Sequence, residues 1–439
     1  MRSIYCLYII VICLLVSCKT TEIVLNKYED EIEDEKPILE LPAYLFKLRK
    51  PLKLHIYNMG LDTLPENISQ VKNLQGLELT GGRVSYLSES FGQLKKMKSL
   101  GLSDSRIKKL PKSFNQLKNL EELSLRGSSL DSLSFATICK LKKLKGLYLE
   151  YLEKLPTCII ELPKLKRLAV KGFDLAITSS KSVLWELINL ESLSIYSERD
   201  LEQLPEELGQ LQNLKRLNLM NNSLKELPKS LWTLTNLEFL YLENNEFDNS
   251  ITVALKNINK LKKLKDFRIG DFRPSIPVRK LPESIGELVN LEKLELNRTQ
   301  LTNLPQSISD LKKLKQLFLS YNRLTTLPDL SSLKNLEKLS VYGNKLTKLP
   351  DLSSLVQLEY LSISHNPIDT ILGLEYLEDL KVLSINHTKI DTLPRTTLKK
   401  LQNLEKLYID THQKHDFKKE YNWKELLPNC EIRVVSRKY

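Results

Sequence analysis

From about residue 52 onward, leucine and polar positions alternate in a recurring unit, clearest in LKRLNLMNNSLKELPKSLWTLTN at residues 214–236. With the first residue of each central L-x-L as marker, units start at Leu54, Leu77, Leu100, Leu123, Leu147, Leu168, Leu193, Leu217, Leu240, Phe267, Leu294, Leu317, Leu339, Leu361, Leu383, Leu407 and Ile432, and most spacings are 22 to 25 residues. The period of 2 within L-x-L predicts a short strand that turns both leucines inward and the residue between them outward. Each unit continues with Leu-Pro and apolar residues three apart (Leu227, Pro228, Leu231, Leu234, Leu237). Proline cannot donate to a strand ladder, so this part predicts a short helical or extended return on the other side. A unit this small cannot bury its own apolar side, so neighbours must stack, their strands parallel and about 4.8 Å apart.

The consensus L-x-x-L-x-L-x-x-N-x-L resembles the leucine-rich repeat over about 380 residues. The resemblance implies an α/β repeat fold, a leucine-rich-repeat solenoid: a curved horseshoe with a parallel β-sheet on the concave face and short helical or extended segments on the convex face. The repeat's asparagine stands at Asn222, Asn245, Asn322, Asn344 and Asn366, with Ser105, Ser128, Thr299 and Thr388 in its place elsewhere. At this bend backbone groups point into the coil, and a side chain with donor and acceptor can satisfy them. Leu152, Phe173 and Phe272 depart from the pattern and predict local irregularity. Residues 38–50 read as a half unit covering the start of the array, and residues 417–439 break the period at its end.

The first residues set a compartment. After Arg2 and Ser3, Ile4–Val16 is an apolar run of thirteen, too short for a stable span of about 20 residues and suited to a signal peptide. Leu15-Val16-Ser17-Cys18 resembles the bacterial lipobox, which implies cleavage before Cys18 and lipidation of Cys18. The expected organisation is therefore a signal peptide at 1–17, a lipidated cysteine with an acidic flexible tether at 18–37, and the repeat body at 38–439. The expected location is the bacterial cell envelope, at the outer membrane or cell surface. Several acyl chains would hold the protein there through its lipid anchor, because each buried methylene contributes about 0.8 kcal/mol.

Composition changes this picture little. The formal net charge is +12, and residues 38–439 are more basic still, since residues 19–37 carry seven acids against three lysines. Anionic partners come to mind. Many of the cations, however, lie in Leu-Lys-Lys-Leu-Lys strings (141–145, 261–265, 311–315) at one place in the repeat, away from the expected ligand face, and read as solvated lysines of the back. Of six cysteines, Cys139, Cys158 and Cys430 fall in the body, at irregular positions, and read as buried small apolar residues. A Cys139–Cys158 bridge is compatible with the sequence, and nothing in it calls for one.

No phosphate loop, G-x-S-x-G, H-E-x-x-H or Cys-x-x-Cys motif occurs. No enzyme activity and no cofactor are expected. His365 and His387 share one position in adjacent units, with His412 one place off, but that column lacks a third ligand, so turn histidines are expected and not a metal site. The outward positions hold Tyr148, Tyr196, Phe239, Tyr241, Phe318, Tyr342, Tyr360 and Tyr408 among acids and bases of mixed sign. Mixed charge argues against a nucleic-acid groove. Aromatic residues make good interface anchors, although strand propensity alone also favours them. Tyr241, Phe318, Tyr342 and Tyr360 are the ligand-binding candidates, and GDFRPSIPVRK (270–280) in a lengthened unit is a second contact element. The resulting expectation is a membrane-anchored binding module for a protein or peptide partner. A glycan or envelope polysaccharide is the alternative, and an architectural surface protein or an enzyme comes behind both.

Overall fold

Each L-x-L turns its leucines into a shared core, and this inward alternation organises everything else in the computed structural model. The described residues are 21–26, 41–57, 61–81, 83–151, 154–172, 178–196, 201–270, 277–410 and 423–435. The chain divides into two units, Met1–Glu198 and Arg199–Tyr439.

In the first unit the strands are β1 (Thr21–Asn26), β2 (Leu52–Tyr57), β3 (Leu74–Thr80), β4 (Ser99–Leu102), β5 (Glu122–Leu125), β6 (Gly146–Glu150), β7 (Arg167–Lys171) and β8 (Ser192–Tyr196). Each pairs in parallel with the next, and the marker leucines lie opposite one another, Leu54 on Leu77 and Leu77 on Leu100. The markers from Leu54 to Leu193 are at most 2% exposed.

The first strand corrects the expected boundaries. Residues 21–26 fall in the stretch read as a flexible tether, yet they form β1 alongside β2. Ile23 and Leu25 are buried, and the Glu22 carboxylate reaches His55 at 2.7 Å. The alternation in TEIVLN is short and adjoins the acidic run, so composition masked it; an open β2 edge above a leucine core is what makes it a strand. Among the described residues the first strand of the array is therefore Thr21–Asn26, ahead of the boundary expected at 38. Cys18, the signal segment and residues 27–40 lie outside the described residues.

The second unit contains β9 (Arg216–Asn218), β10 (Phe239–Tyr241), β11 (Asp266–Arg268), β12 (Lys293–Glu295), β13 (Gln316–Phe318), β14 (Lys338–Ser340), β15 (Tyr360–Ser362), β16 (Val382–Ser384), β17 (Lys406–Asp410) and β18 (Glu431–Val435). Consecutive strands again pair in parallel with markers in register. The markers from Leu217 to Leu407 are fully buried. Both units are leucine-rich-repeat solenoids, a parallel sheet on one side and short returns on the other.

Those returns are mostly single 3-10 turns. Pro65, Pro111, Pro156, Pro205, Pro228, Pro282 and Pro305 precede them with φ between −54° and −76°, so the fixed proline angle starts the turn at a residue with no N–H of its own to satisfy. Glutamates tie neighbouring returns together: Glu206 accepts from the Lys229 and Ser230 amides at 2.9 and 2.7 Å. The lysine strings are exposed, as expected, but they also brace the stack. Lys143, Lys263 and Lys313 donate to Asn119, Asn236 and Asn290 of the preceding repeat at 2.6, 2.6 and 2.8 Å. Among the described residues no helix is long and apolar enough to cross a membrane.

The bend asparagines do what the pattern predicts. Asn322 donates to the Leu296 and Leu319 carbonyls (2.6 and 3.0 Å) and accepts from the Thr299 and Leu301 amides (2.9 and 3.0 Å), linking two repeats from a nearly buried site. Leu152, Phe173 and Phe272, the predicted irregular bends, lie outside the described residues.

The cysteines bring a second correction. Cys139 ends the helix Ser132–Ile138, and Cys158 lies in the 3-10 turn Thr157–Glu161 of the next repeat; the two are disulfide-bonded with Cα atoms 5.9 Å apart. They are not independent apolar fillers. Stacking makes neighbours of residues 19 positions apart on the same side of successive repeats, a proximity that irregular spacing hides. Cys430 is a free thiol.

Candidate functional site

The side of each sheet turned away from the leucine core is its open face. In the second unit three outward columns run across the strands, set by the register of the short central pairs. One passes through Gln316, Lys338, Tyr360, Val382 and Lys406. The next passes through Phe318, Ser340, Ser362, Ser384 and Tyr408. Two residues further on, alternation brings out Ser320, Tyr342, Ser364, Asn386 and Asp410.

This register separates the candidates. Phe318, Tyr342 and Tyr360 belong to consecutive repeats but to three different columns, and the columns of Tyr360 and Tyr342 stand four residues apart, roughly 13 Å. All three side chains are partly exposed, as outward positions should be, but they do not form one patch. Tyr241, four strands before Tyr342's repeat, sits in another group.

That group spans β9 to β13. The Arg216 guanidinium lies 3.9 Å from the Phe239 ring centre and donates to the Tyr241 hydroxyl at 2.8 Å. Arg268, from the next strand, packs over the same tyrosine, 4.5 Å from the Tyr241 ring centre, and is held by Asp266 through bonds of 2.9 and 2.6 Å. Tyr241 also donates to Asp266 at 3.2 Å. Burial, reinforced by Asp266, pushes the Tyr241 hydroxyl above its usual range, and the bond to Asp266 raises the Arg268 guanidinium further. Burial also raises the Glu243 carboxyl, with Arg268 opposing. Lys293 lies 5.0 Å from the Phe318 ring centre and pairs with Glu295 at 3.1 Å. The group is a preorganised lattice of rings and ion pairs, largely neutralised within itself.

A second group follows along the turn after the strands. Arg298, Tyr321, His365 and His387 adopt φ of 55° to 59°, the left-handed region rare for such residues. Each conformation serves the stack: the Tyr321 amide donates to the Tyr342 carbonyl at 2.7 Å and the His365 amide to the Asn386 carbonyl at 3.0 Å. The equivalent place one repeat after Tyr321 is Gly343, φ 66°, where a Cβ would lie 3.1 Å from the Tyr321 ring. The missing side chain lets Tyr342 close the row. Arg298 lies 3.9 Å from the Tyr321 ring centre, and the ring centres then follow at 4.9 Å (Tyr321–Tyr342), 4.7 Å (Tyr342–His365) and 4.1 Å (His365–His387). At the far end Asp410, 1% exposed, accepts from the His387 amide at 2.6 Å and faces its Nδ1 at 2.9 Å.

Sequence reasoning placed His365 and His387 side by side correctly and missed the row they complete. Its third group, Asp410, stands in the next outward column and not in the histidines' own, and Tyr321 occupies a turn position that strand alternation does not assign. The recurring x-Asn turn was the available signal. Among the described residues no three His, Cys, Asp or Glu side chains are placed to hold a metal ion. His412 and residues 271–276 of the candidate loop lie outside the described residues.

The first unit's open face is built of pairs. Glu122 bonds Arg167, and Lys171 lies 3.8 Å from Glu150. Burial raises the Glu78 carboxyl, against His55 and Arg126, beside the bare backbone of Gly101. Mixed, paired charges offer no uniform track for a nucleic-acid backbone.

A leucine-rich repeat region model matches residues 89–199 and 247–349, and two further leucine-rich repeat models match 188–247 and, as two copies, 334–376. No curated protein sequence matches the chain. Among solved structures, a leucine-rich-repeat protein of Leptospira interrogans is 29% identical with a TM-score of 0.61, over 90% of this chain and 93% of that one. An internalin of Listeria monocytogenes is 21% identical with a TM-score of 0.52, over 70% of this chain and 85% of that one. The ectodomain of the Arabidopsis thaliana membrane receptor kinase GASSHO1, solved in complex with Casparian strip integrity factor 2, is 23% identical with a TM-score of 0.55, over 84% of this chain and 46% of that one.

Proposed function

We propose that this chain, which belongs to the leucine-rich repeat family, is a membrane-anchored binding module of the bacterial cell envelope that recognises a protein or peptide partner through the open face of its second unit. One observation carries the reading. The rings on that face are packed in advance, so little side-chain entropy is lost on binding, and they present polar tips and edges. The receptor kinase ectodomain of similar fold, solved in complex with Casparian strip integrity factor 2, supports partner binding as a use of such an array. Glycan recognition by stacking, the alternative, needs open ring faces. Here Phe239, Tyr241, Phe318 and Tyr321 each hold a cation over the ring, and Tyr342, His365 and His387 pack on one another.

The anchor rests on Leu15–Cys18, and the Cys139–Cys158 bond supports an oxidising compartment outside the cytosol. Cys18→Ser is expected to abolish incorporation of labelled palmitate; equal labelling of the variant would refute the lipid anchor. Binding is tested by capture from envelope fractions on the immobilised full-length chain, comparing Tyr241→Ser, Phe318→Ser, Tyr342→Ser and Tyr360→Ser. At least one should weaken retention of a protein that the wild type holds, by about 2 kcal/mol where an anchor is lost. Capture of polysaccharide alone, or of a protein that ignores every open-face variant, would overturn the reading.

A further inference from the structure

The last strand of the second unit differs from those before it. The inward markers from Leu217 to Leu407 are fully buried, and Leu426 and Leu427, which lead into β18, are covered as well. Ile432 and Val434, the inward residues of β18 itself, are only half-buried. On β1, by contrast, the inward Ile23 and Leu25 are 3% and 1% exposed. Among the described residues no strand pairs with the outer side of β18.

Backbone and charge together specify what fits this edge. The Glu431 amide donates to the Glu405 carbonyl at 2.8 Å, so alternation turns the N–H and C=O groups of Ile432 and Val434 to the open side. Such an edge is a template for another strand. A second β18 placed antiparallel about a two-fold axis at Ile432 lets each Ile432 exchange both backbone bonds with its counterpart. The same axis sets Glu431 opposite Arg433 twice, in the close positions between the bonds. Within one copy Glu431 stands opposite Lys406 in the register and holds the Arg433 guanidinium at 2.9 Å, which also reaches the Tyr408 hydroxyl at 3.3 Å. Across the axis the outward row therefore runs Lys406, Glu431 and then Arg433 and Tyr408 of the second copy. Each acid lies between cations. The other arrangements lack this match: an axis at Arg433 sets that residue against itself, and continuing the sheet marker to marker onto β1 of another copy sets Glu431 against Glu22.

We propose that β18 is a dimerisation edge, joining two copies of this chain antiparallel about a two-fold axis at Ile432 so that their sheets run on as one. Ile432 then meets its counterpart on the core side, which covers the apolar surface that one copy leaves half-buried. The inference goes beyond the partner-binding reading and does not depend on it. An axis perpendicular to the sheet keeps the open faces of the two second units on one side, so the dimer presents that face twice.

The test is sedimentation equilibrium of the full-length chain in density-matched detergent. A five-residue edge is a small interface, so wild-type dimers are expected at roughly 10–100 μM protein. Glu431→Arg and Arg433→Glu each put like charges opposite one another at both symmetric positions, and each should raise the dissociation constant at least about tenfold. Mixed together, the two variants are complementary at both positions and should form a heterodimer, detected by a fluorescent label on one of them. Both residues are exposed, so melting curves close to wild type are expected, and the heterodimer itself requires that both variants be folded. A wild type that stays monomeric across this range overturns the proposal. So do single variants that dimerise as the wild type does, or a mixture that fails to associate.

Discussion

Asn322→Ala tests the physical account of the bend, because the same residue type stands at two places in the repeat with opposite surroundings. The Asn322 side chain donates to the Leu296 and Leu319 carbonyls and accepts from the Thr299 and Leu301 amides. Truncation does not orphan all four. The Leu296 carbonyl keeps the Thr299 hydroxyl at 3.1 Å, and the Leu319 carbonyl keeps the Asn344 amide at 2.9 Å. The two buried backbone amides lose their acceptor, and each unsatisfied group costs about 1–3 kcal/mol. The expected loss is about 2–6 kcal/mol, which for a unit of this size lowers the melting temperature by about 2–4 °C per kcal/mol. Asn335 is the control: it is exposed, with one bond to the Lys312 carbonyl at 2.7 Å, and Asn335→Ala should stay within about 0.5 kcal/mol. Urea unfolding followed by circular dichroism measures both. The loss should be confined to repeats near the site, since solenoid contacts are between neighbours. If the two variants are destabilised equally, the bend asparagine is not the bond-satisfying element described here.

Leu319 is fully buried, so Leu319→Asp places an unpaired charge in the core and should cost about 3–5 kcal/mol; a calorimetric transition unchanged from wild type would contradict its inward orientation. The Cys139–Cys158 bond closes a loop of 19-residue separation, and reduction should lower stability by about 3 kcal/mol in the wild type and by nothing in the Cys139→Ser/Cys158→Ser variant. Identical unfolding of the wild type with and without reductant would show that the bond contributes nothing. Glu243 has a folded-state affinity for its proton raised by burial, so the folded chain binds more protons than the unfolded one and stability falls as pH rises through the ordinary carboxyl range and the raised one. Glu243→Gln should therefore melt higher than wild type at neutral pH and converge with it at low pH; a constant difference across pH would rule out burial of the charge as the cause.

The sequence by itself determined the repeat, the inward leucines and the role of the bend asparagine. These are matters of period: alternation decides which side chains share a face, and a core leucine such as Leu317 needs only its counterparts Leu294 and Leu339, wherever the surrounding residues point. The tertiary structure decided what lies between repeats. Cys139 meets Cys158 because the end of one helical return stacks beside the start of the next, and residues 21–26 become a strand because β2 leaves an edge for them. The row from Arg298 to His387 draws on two repeat positions, the left-handed turn residue and, at Tyr342, the outward residue before it, and a glycine at 343 makes the exchange. Strand alternation describes neither the turn geometry nor the gap. A face built from residues about 20 positions apart is fixed by how each repeat settles on the next, and that information is in the packing and not in any single unit.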